Sequence, residues 1–273
     1  MSLKIKFWGV RGSIACPTSD HMKYGGNTSC IEVRAGDRCF VLDAGTGIRS
    51  FGDSLMKSGS SVSHILFTHT HWDHINGFPF FAPAYIPGNA ITIMAGHLGD
   101  EDGIQDVLST QMHNPVFPVP LDAMQADLRY HDFEAGEDIK IFDDVRISTA
   151  RLNHPNGATG YRIEYEGKSV VYVTDTEHIP GEMDQNILGL IEGADFVIYD
   201  STYTEKEFLT KIGWGHSTWN EGMRLCREAN AKKLGIFHHE PSHDDDFMDK
   251  LAEEAKAAWD GNMVCREGME MEF

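Results

Sequence analysis

With 273 residues, 41% of them hydrophobic, the chain is long enough to bury a substantial core as one large domain or two small ones. Its formal charge of −19, from 42 acidic against 23 basic residues, carries no lysine and arginine footprint dense enough to grip many phosphates. That argues for a small anionic substrate and against long nucleic acid as a partner.

No segment approaches the roughly 18 to 20 apolar residues that span a bilayer, and the opening MSLKIKFWGVRGS lacks the apolar run of a signal peptide, so the expectation is a cytoplasmic protein without membrane contact. Five scattered cysteines, with no Cys-x-x-Cys pair, argue against both a disulfide framework and a thiolate zinc ribbon.

In chain order, short β-branched and aromatic runs read as strands: residues 4–8, 30–35, 38–43, 64–68, 90–95, 138–142, 145–150, 159–165, 169–174, 195–200 and 233–237. The tight turns AGD before Arg38 and EGK before Ser169 predict antiparallel hairpins. Helical patterns fall near 48–58, 75–85, 182–193, 217–230 and 244–259. Two packed sheets covered by helices follow from that order. No linker or repeat divides the chain, so 1–273 reads as one domain. An irregular proline-containing excursion at about 97–132 has the character of a lid, a homodimer contact or ordinary surface packing.

The chemistry concentrates in HTHWDH, residues 69–74. His69 and His71 follow a strand, where alternation points both imidazoles one way, toward a cation. Asp73 and His74 open the next helix and are placed to serve a second cation, since four such close donors converge poorly on one tetrahedral ion. Histidine or aspartate recurs at other strand ends: His154, Asp175, and His238 with His239. Ligands carried on several strand ends converge on one rim.

These residues resemble the metallo-β-lactamase superfamily. DAGTG after Leu42 looks like its Asp-Gly turn, and FWGVRGS with YGGNTSC resembles its phosphodiesterase and ribonuclease Z branch, the class-II cyclic nucleotide phosphodiesterases included. The resemblance implies an αββα sandwich of two mixed sheets flanked by helices. It also implies a dinuclear site, with His69, His71 and His154 on one ion, Asp73, His74 and His238 on the other, and Asp175 between them. Zinc is the default for such nitrogen-rich sites, and manganese or iron also suits imidazole with carboxylate. A Glu in place of His71 would mark the redox branch, so oxygen reduction is disfavoured.

Two divalent cations make hydroxide available at neutral pH, and Asp73 can orient it. GHST resembles the branch's second histidine block, which makes His216 the proton donor to the leaving group; Asp200 in YDST stands where that branch has Glu and would orient it. Ser217 or Thr218 with Glu221 also reads as a helix capping box, compatible with that role. The expected activity is hydrolysis of a small phosphodiester such as a cyclic nucleotide by a metal-bridging hydroxide. Alternatives are a metal-dependent acyl hydrolase acting on a lactone, thioester or β-lactam, and a non-catalytic sensor. His21, His64, His97, His113, His131 and His178 read as surface or satisfied core residues, and His243 as part of an exposed helix start.

Overall fold

The computed structural model describes residues 2–99 and 103–273. Six strands come from the N-terminal half: Leu3–Gly9 (β1), Cys30–Ala35 (β2), Arg38–Leu42 (β3), His64–Phe67 (β4), Ala90–Ala95 (β5) and Asp127–Asp132 (β6). Seven follow in the second half: Asp138–Ile139 (β7), Val145–Leu152 (β8), Ala158–Tyr165 (β9), Lys168–Val173 (β10), Phe196–Asp200 (β11), Leu234–Phe237 (β12) and Asn262–Val264 (β13). Glu270–Glu272 (β14) returns to the first sheet, whose order is β14-β1-β2-β3-β4-β5-β6. The second sheet runs β13-β12-β11-β10-β9-β8-β7.

Each sheet is antiparallel on one side and parallel on the other, with β3 to β6 parallel in the first and β10 to β13 parallel in the second. Alternation explains the burial. On β3 and β4, Phe40, Leu42 and Leu66 enter the core between the sheets, while Val41, Ile65 and Phe67 pack outward under helices. Both faces are therefore covered, which is why these strands read as nearly continuous apolar runs. Full burial of side chains of this size contributes about 1.5–3 kcal/mol each.

The helices are Gly47–Ser58 (α1), Trp72–Ile75 (α2), Ile104–Gln111 (α3), Gln185–Ile191 (α4), Glu205–Phe208 (α5), Trp219–Glu228 (α6) and Asp245–Ala258 (α7). Ile48, Phe51 and Leu55 of α1, with Ile104 and Leu108 of α3, cover the first sheet. Ile187, Leu225 and Leu251, from α4, α6 and α7, cover the second. The layers are thus helix, sheet, sheet, helix, as the resemblance implied. The hairpin joining β9 to β10 turns through Glu166 (φ 51°) and Gly167 (φ 72°), both left-handed, as a twist-matched two-residue turn requires.

Three expectations change, the first being the strand at 138–142, which ends at Ile139 as the two-residue β7. The helix at 75–85 is only α2 followed by two short 3-10 turns, 78–80 and 82–85, because Pro79 and Pro83 cannot donate to a continuing helix. The excursion at 97–132, of which 100–102 lie outside the described residues, supplies α3 and the edge strand β6. Its Ile104, Leu108, Met112, Leu121 and Met124 are buried in the outer core of the first sheet. No helix among the described residues is long and apolar enough to cross a membrane.

Candidate metal centre

Strands β4, β10, β11 and β12 of the parallel halves, and β8, which runs in the same direction as β10 from the antiparallel half, end on one rim, and the candidate residues sit at or just past those ends. Thr68 to His71 leave β4, His154 follows β8, Asp175 follows β10, Asp200 ends β11 and His238 follows β12. Their potential ligand atoms form three groups, each within 4.8 Å: His69, His71 and His154; Asp73, His74, Asp175 and His238; and Asp175, Asp200, His216 and His238. Asp175 lies between the first two groups. Its Oδ1 is 3.7 Å from Nε2 of both His69 and His154, and its Oδ2 is 3.1 Å from His74 Nε2 and 3.3 Å from His238 Nε2.

The hydrogen bonds behind these rings decide which nitrogen faces inward. His74 Nδ1 donates to Asp43 Oδ2 at 2.8 Å, and His154 Nδ1 donates to the Gly215 carbonyl at 2.7 Å. Thr68 Oγ1 donates to Asp43 Oδ2 at 2.9 Å, so its oxygen accepts from His69 Nδ1 at 3.1 Å. His238 Nδ1 lies 3.0 Å from Thr202 Oγ1. Each ring thereby turns an Nε2 lone pair into the cluster, as the outer partners of metal-bound histidines do. His71 instead offers Nδ1, 3.0 Å from His154 Nε2. His69 Nε2 is buried with no hydrogen-bond partner among the described residues, a costly state for a polar atom unless a cation takes its lone pair.

The electrostatics agree. Burial disfavours a charge on His74, but Asp175, Asp73 and Asp43 outweigh it and raise its pKa well above the usual histidine value. Burial also opposes ionisation of Asp73 and Asp175, yet the surrounding imidazoles hold both well below the carboxylate range. This pocket favours positive charge. Its residues fit divalent cations, and the donor set of imidazole with carboxylate suits zinc, manganese or iron.

Beside the cluster, His216 Nδ1 donates to Asp200 Oδ2 at 2.8 Å. Asp200 is fully buried and also accepts from Thr202 N, Thr202 Oγ1 and Ser217 N, so its carboxylate is fixed. The shorter acid still reaches its histidine. Thr218 caps α6 by accepting from Glu221 N at 3.2 Å, but Glu221 turns to Arg224, leaving the capping box half made. The two adjacent histidines at the end of β12 separate cleanly: His238 enters the cluster, while His239 donates to the Cys265 carbonyl at 2.8 Å. His243 stays outside it, paired with Glu207 at 3.0 Å.

Three contributors received no role in the sequence reading. Asp43, read there only as the first residue of the DAGTG turn, gathers His74, Thr68 and the Tyr172 hydroxyl on one buried carboxylate. Glu177 accepts from Gly213 N and Gly215 N, at 2.7 and 2.8 Å, holding the loop that carries His216. Ser13 N donates to Asp73 Oδ2 at 2.8 Å, and a backbone donor has no signature in residue type.

A four-layer fold with clustered histidine and aspartate at its strand ends defines the class: a metal-dependent hydrolase with a divalent metal site. The chain belongs to the β-lactamase superfamily, since the family model described as "Beta-lactamase superfamily domain" matches residues 38–239. It is 25% identical, over an alignment 316 positions long, to Ribonuclease Z of Haloarcula marismortui, covering 99% of this chain and 96% of that one. Among solved structures, the metallo-beta-lactamase fold protein YhfI from Bacillus subtilis matches with a TM-score of 0.74 and 18% identity, over 100% of this chain and 99% of that one. Human tRNase Z, short form, matches with a TM-score of 0.69 and 17% identity, over 98% of each chain.

These relatives correct one expectation. Long nucleic acid is not excluded as a partner, because proteins similar over nearly the whole chain are named as ribonucleases. Net charge sums the entire surface, whereas a substrate meets one face. Asp43, Asp73, Asp175 and Asp200 enter the −19, yet all are buried in the site, where bound cations would invert the field.

Proposed function

We propose that the protein is a dinuclear phosphodiesterase acting on nucleotide-bearing diesters, with zinc as its metal. His69 Nε2, His71 Nδ1 and His154 Nε2 would hold one ion. Asp73, His74 Nε2 and His238 Nε2 would hold the other, with one Asp175 oxygen for each. When bound, such a pair acidifies a water and neutralises charge on the phosphoryl oxygens. The observation that carries the diester reading is His216 on Asp200 beside both clusters. Alkoxides are poor leaving groups and need a proton. Burial disfavours a charged His216, but Asp200 with Asp175 and Asp73 raises its pKa to about 9 before any cation binds, which favours a proton on its Nε2. Asp73 Oδ1 makes no hydrogen bond among the described residues, which leaves it available to orient the attacking water.

The rim supports a nucleoside on the substrate. Trp72, next to His71, is 82% exposed, and Trp214, next to the Gly215 that holds His154, is 60% exposed. Lys211 Nζ lies 4.0 Å from the Trp214 ring centroid. Exposed indoles with a cation beside them stack bases and attract phosphate.

The test combines metal content with turnover of bis(p-nitrophenyl) phosphate, cyclic mononucleotides, a 3′-extended structured RNA and a lactone. Two zinc equivalents and diester cleavage, both lost in a His69→Ala, Asp175→Ala double variant, are expected. Turnover of the lactone alone, or full activity in the double variant, would defeat the proposal. The relative rates on cyclic nucleotide and RNA identify which diester is the substrate.

A further inference from the structure

The opening segment FWGVRGS contributes no ligand, yet it lies against the second cation cluster. Past β1 the chain runs between two neighbours. Val10 N and Arg11 N both donate to the Asn27 carbonyl at 2.9 Å, while Gly12 N donates to the His239 carbonyl and His239 N to the Val10 carbonyl, each at 3.0 Å. Arg11 thus bridges Thr28 on one side and His239 on the other, joining the two sheets where the site opens.

Three consecutive residues then act on the cluster. The Arg11 guanidinium is fully buried, with Nε donating to the Gly25 carbonyl at 3.0 Å and Nη1 to the carbonyls of Glu240 and His243 at 3.0 and 2.8 Å. It therefore ties down the turn that follows His238. Gly12 faces the His238 imidazole so closely that a Cβ there would stand 2.5 Å from its Nδ1 and Cε1. Ser13, left-handed at φ 61°, aims its N–H at Asp73 Oδ2. His238 and Asp73 are two of the ligands assigned above to the second ion. None of these contacts reaches His69, His71 or His154.

We infer that Arg11, Gly12 and Ser13 are positioning residues for the second cation site alone, so the two sites can be uncoupled from the N-terminal segment. The inference rests on the ligand assignment proposed above. Gly12 leaves the volume that the His238 ring occupies, Ser13 orients the Asp73 carboxylate through its backbone, and Arg11 holds the turn behind both.

The test is zinc stoichiometry and stepwise affinity, by chelator competition, for wild type, Gly12→Ala, Arg11→Lys and Ser13→Gly. Gly12→Ala forces the His238 ring aside, and Arg11→Lys keeps the charge but cannot span three carbonyls. Both are expected to weaken the second zinc at least tenfold, to about one retained equivalent under competition, with the affinity of the first zinc unchanged. Ser13→Gly keeps the N–H in the same left-handed backbone and should hold two. If wild type binds two zinc ions and Gly12→Ala and Arg11→Lys bind both with unchanged affinity, the inference fails. Equal weakening of both ions overturns it as well, since the role would then be general. A wild-type chain holding one ion or none overturns the ligand assignment itself.

Discussion

His216 takes its chemistry from one neighbour. Desolvation alone would leave its imidazole neutral, and the buried Asp200 carboxylate, helped by Asp175 and Asp73, reverses that, keeping Nδ1–H engaged and raising the pKa to about 9 before any cation binds. A proton donor works below its pKa, so the rate should fall as pH rises through that limb, and bound cations move the limb downward from about 9. His216→Ala should lose on the order of 10²-fold in kcat for an alkoxide leaving group and remove the alkaline limb. It should lose far less with p-nitrophenolate, which departs without a proton. Equal losses on both leaving groups would show that His216 has a different role.

At the scale of elements, the site depends on how strands end. Asp43 after β3, Asp175 after β10 and His238 after β12 all occupy the left-handed region, at φ 60°, 58° and 63°. For residues other than glycine this costs about 1–2 kcal/mol each, and here it redirects each side chain from the sheet into the rim. Asp43 then links four elements, receiving His74 from α2, Thr68 beyond β4 and Tyr172 from β10. Asp43→Asn keeps the shape but turns an amide N–H₂ toward groups that donate. It should lower metal affinity about 10- to 100-fold, read by chelator competition, because outer partners of ligating histidines act at that size. Unchanged affinity would mean that Asp43 serves packing only.

For the whole molecule, cations bound only by the native state add stability in proportion to their occupancy. At a thousandfold excess over Kd, one site contributes about 4 kcal/mol, so chelation should lower the melting temperature by on the order of 10 °C and abolish hydrolysis together. Returning zinc should restore both. A melting temperature and rate indifferent to chelator would remove the metal from the account. The charge of −19 belongs to this scale too. It describes solubility and the mean field, and it failed as a guide to partners because the field that meets a substrate is local.

What the sequence determined by itself was the set of chemically capable residues and their order along the chain. Central strands such as β2 and β5 were legible to the residue, β2 by the alternation of apolar residues with Glu32 and Arg34 and β5 by its nearly continuous apolar run, and HTHWDH was legible because few structural demands place four such donors together. Tertiary structure decided the rest. Edge strands β6, β13 and β14 take their conformation from a neighbour's hydrogen bonds, which leave little trace in side-chain pattern. The choice of His238 over His239 turns on one left-handed residue at a strand end. Asp43, Glu177 and the Ser13 N–H act across 31, 38 and 60 positions of chain, at distances only folding can close. Ligand identity is local chemistry, whereas ligand orientation is set by whatever packs behind it.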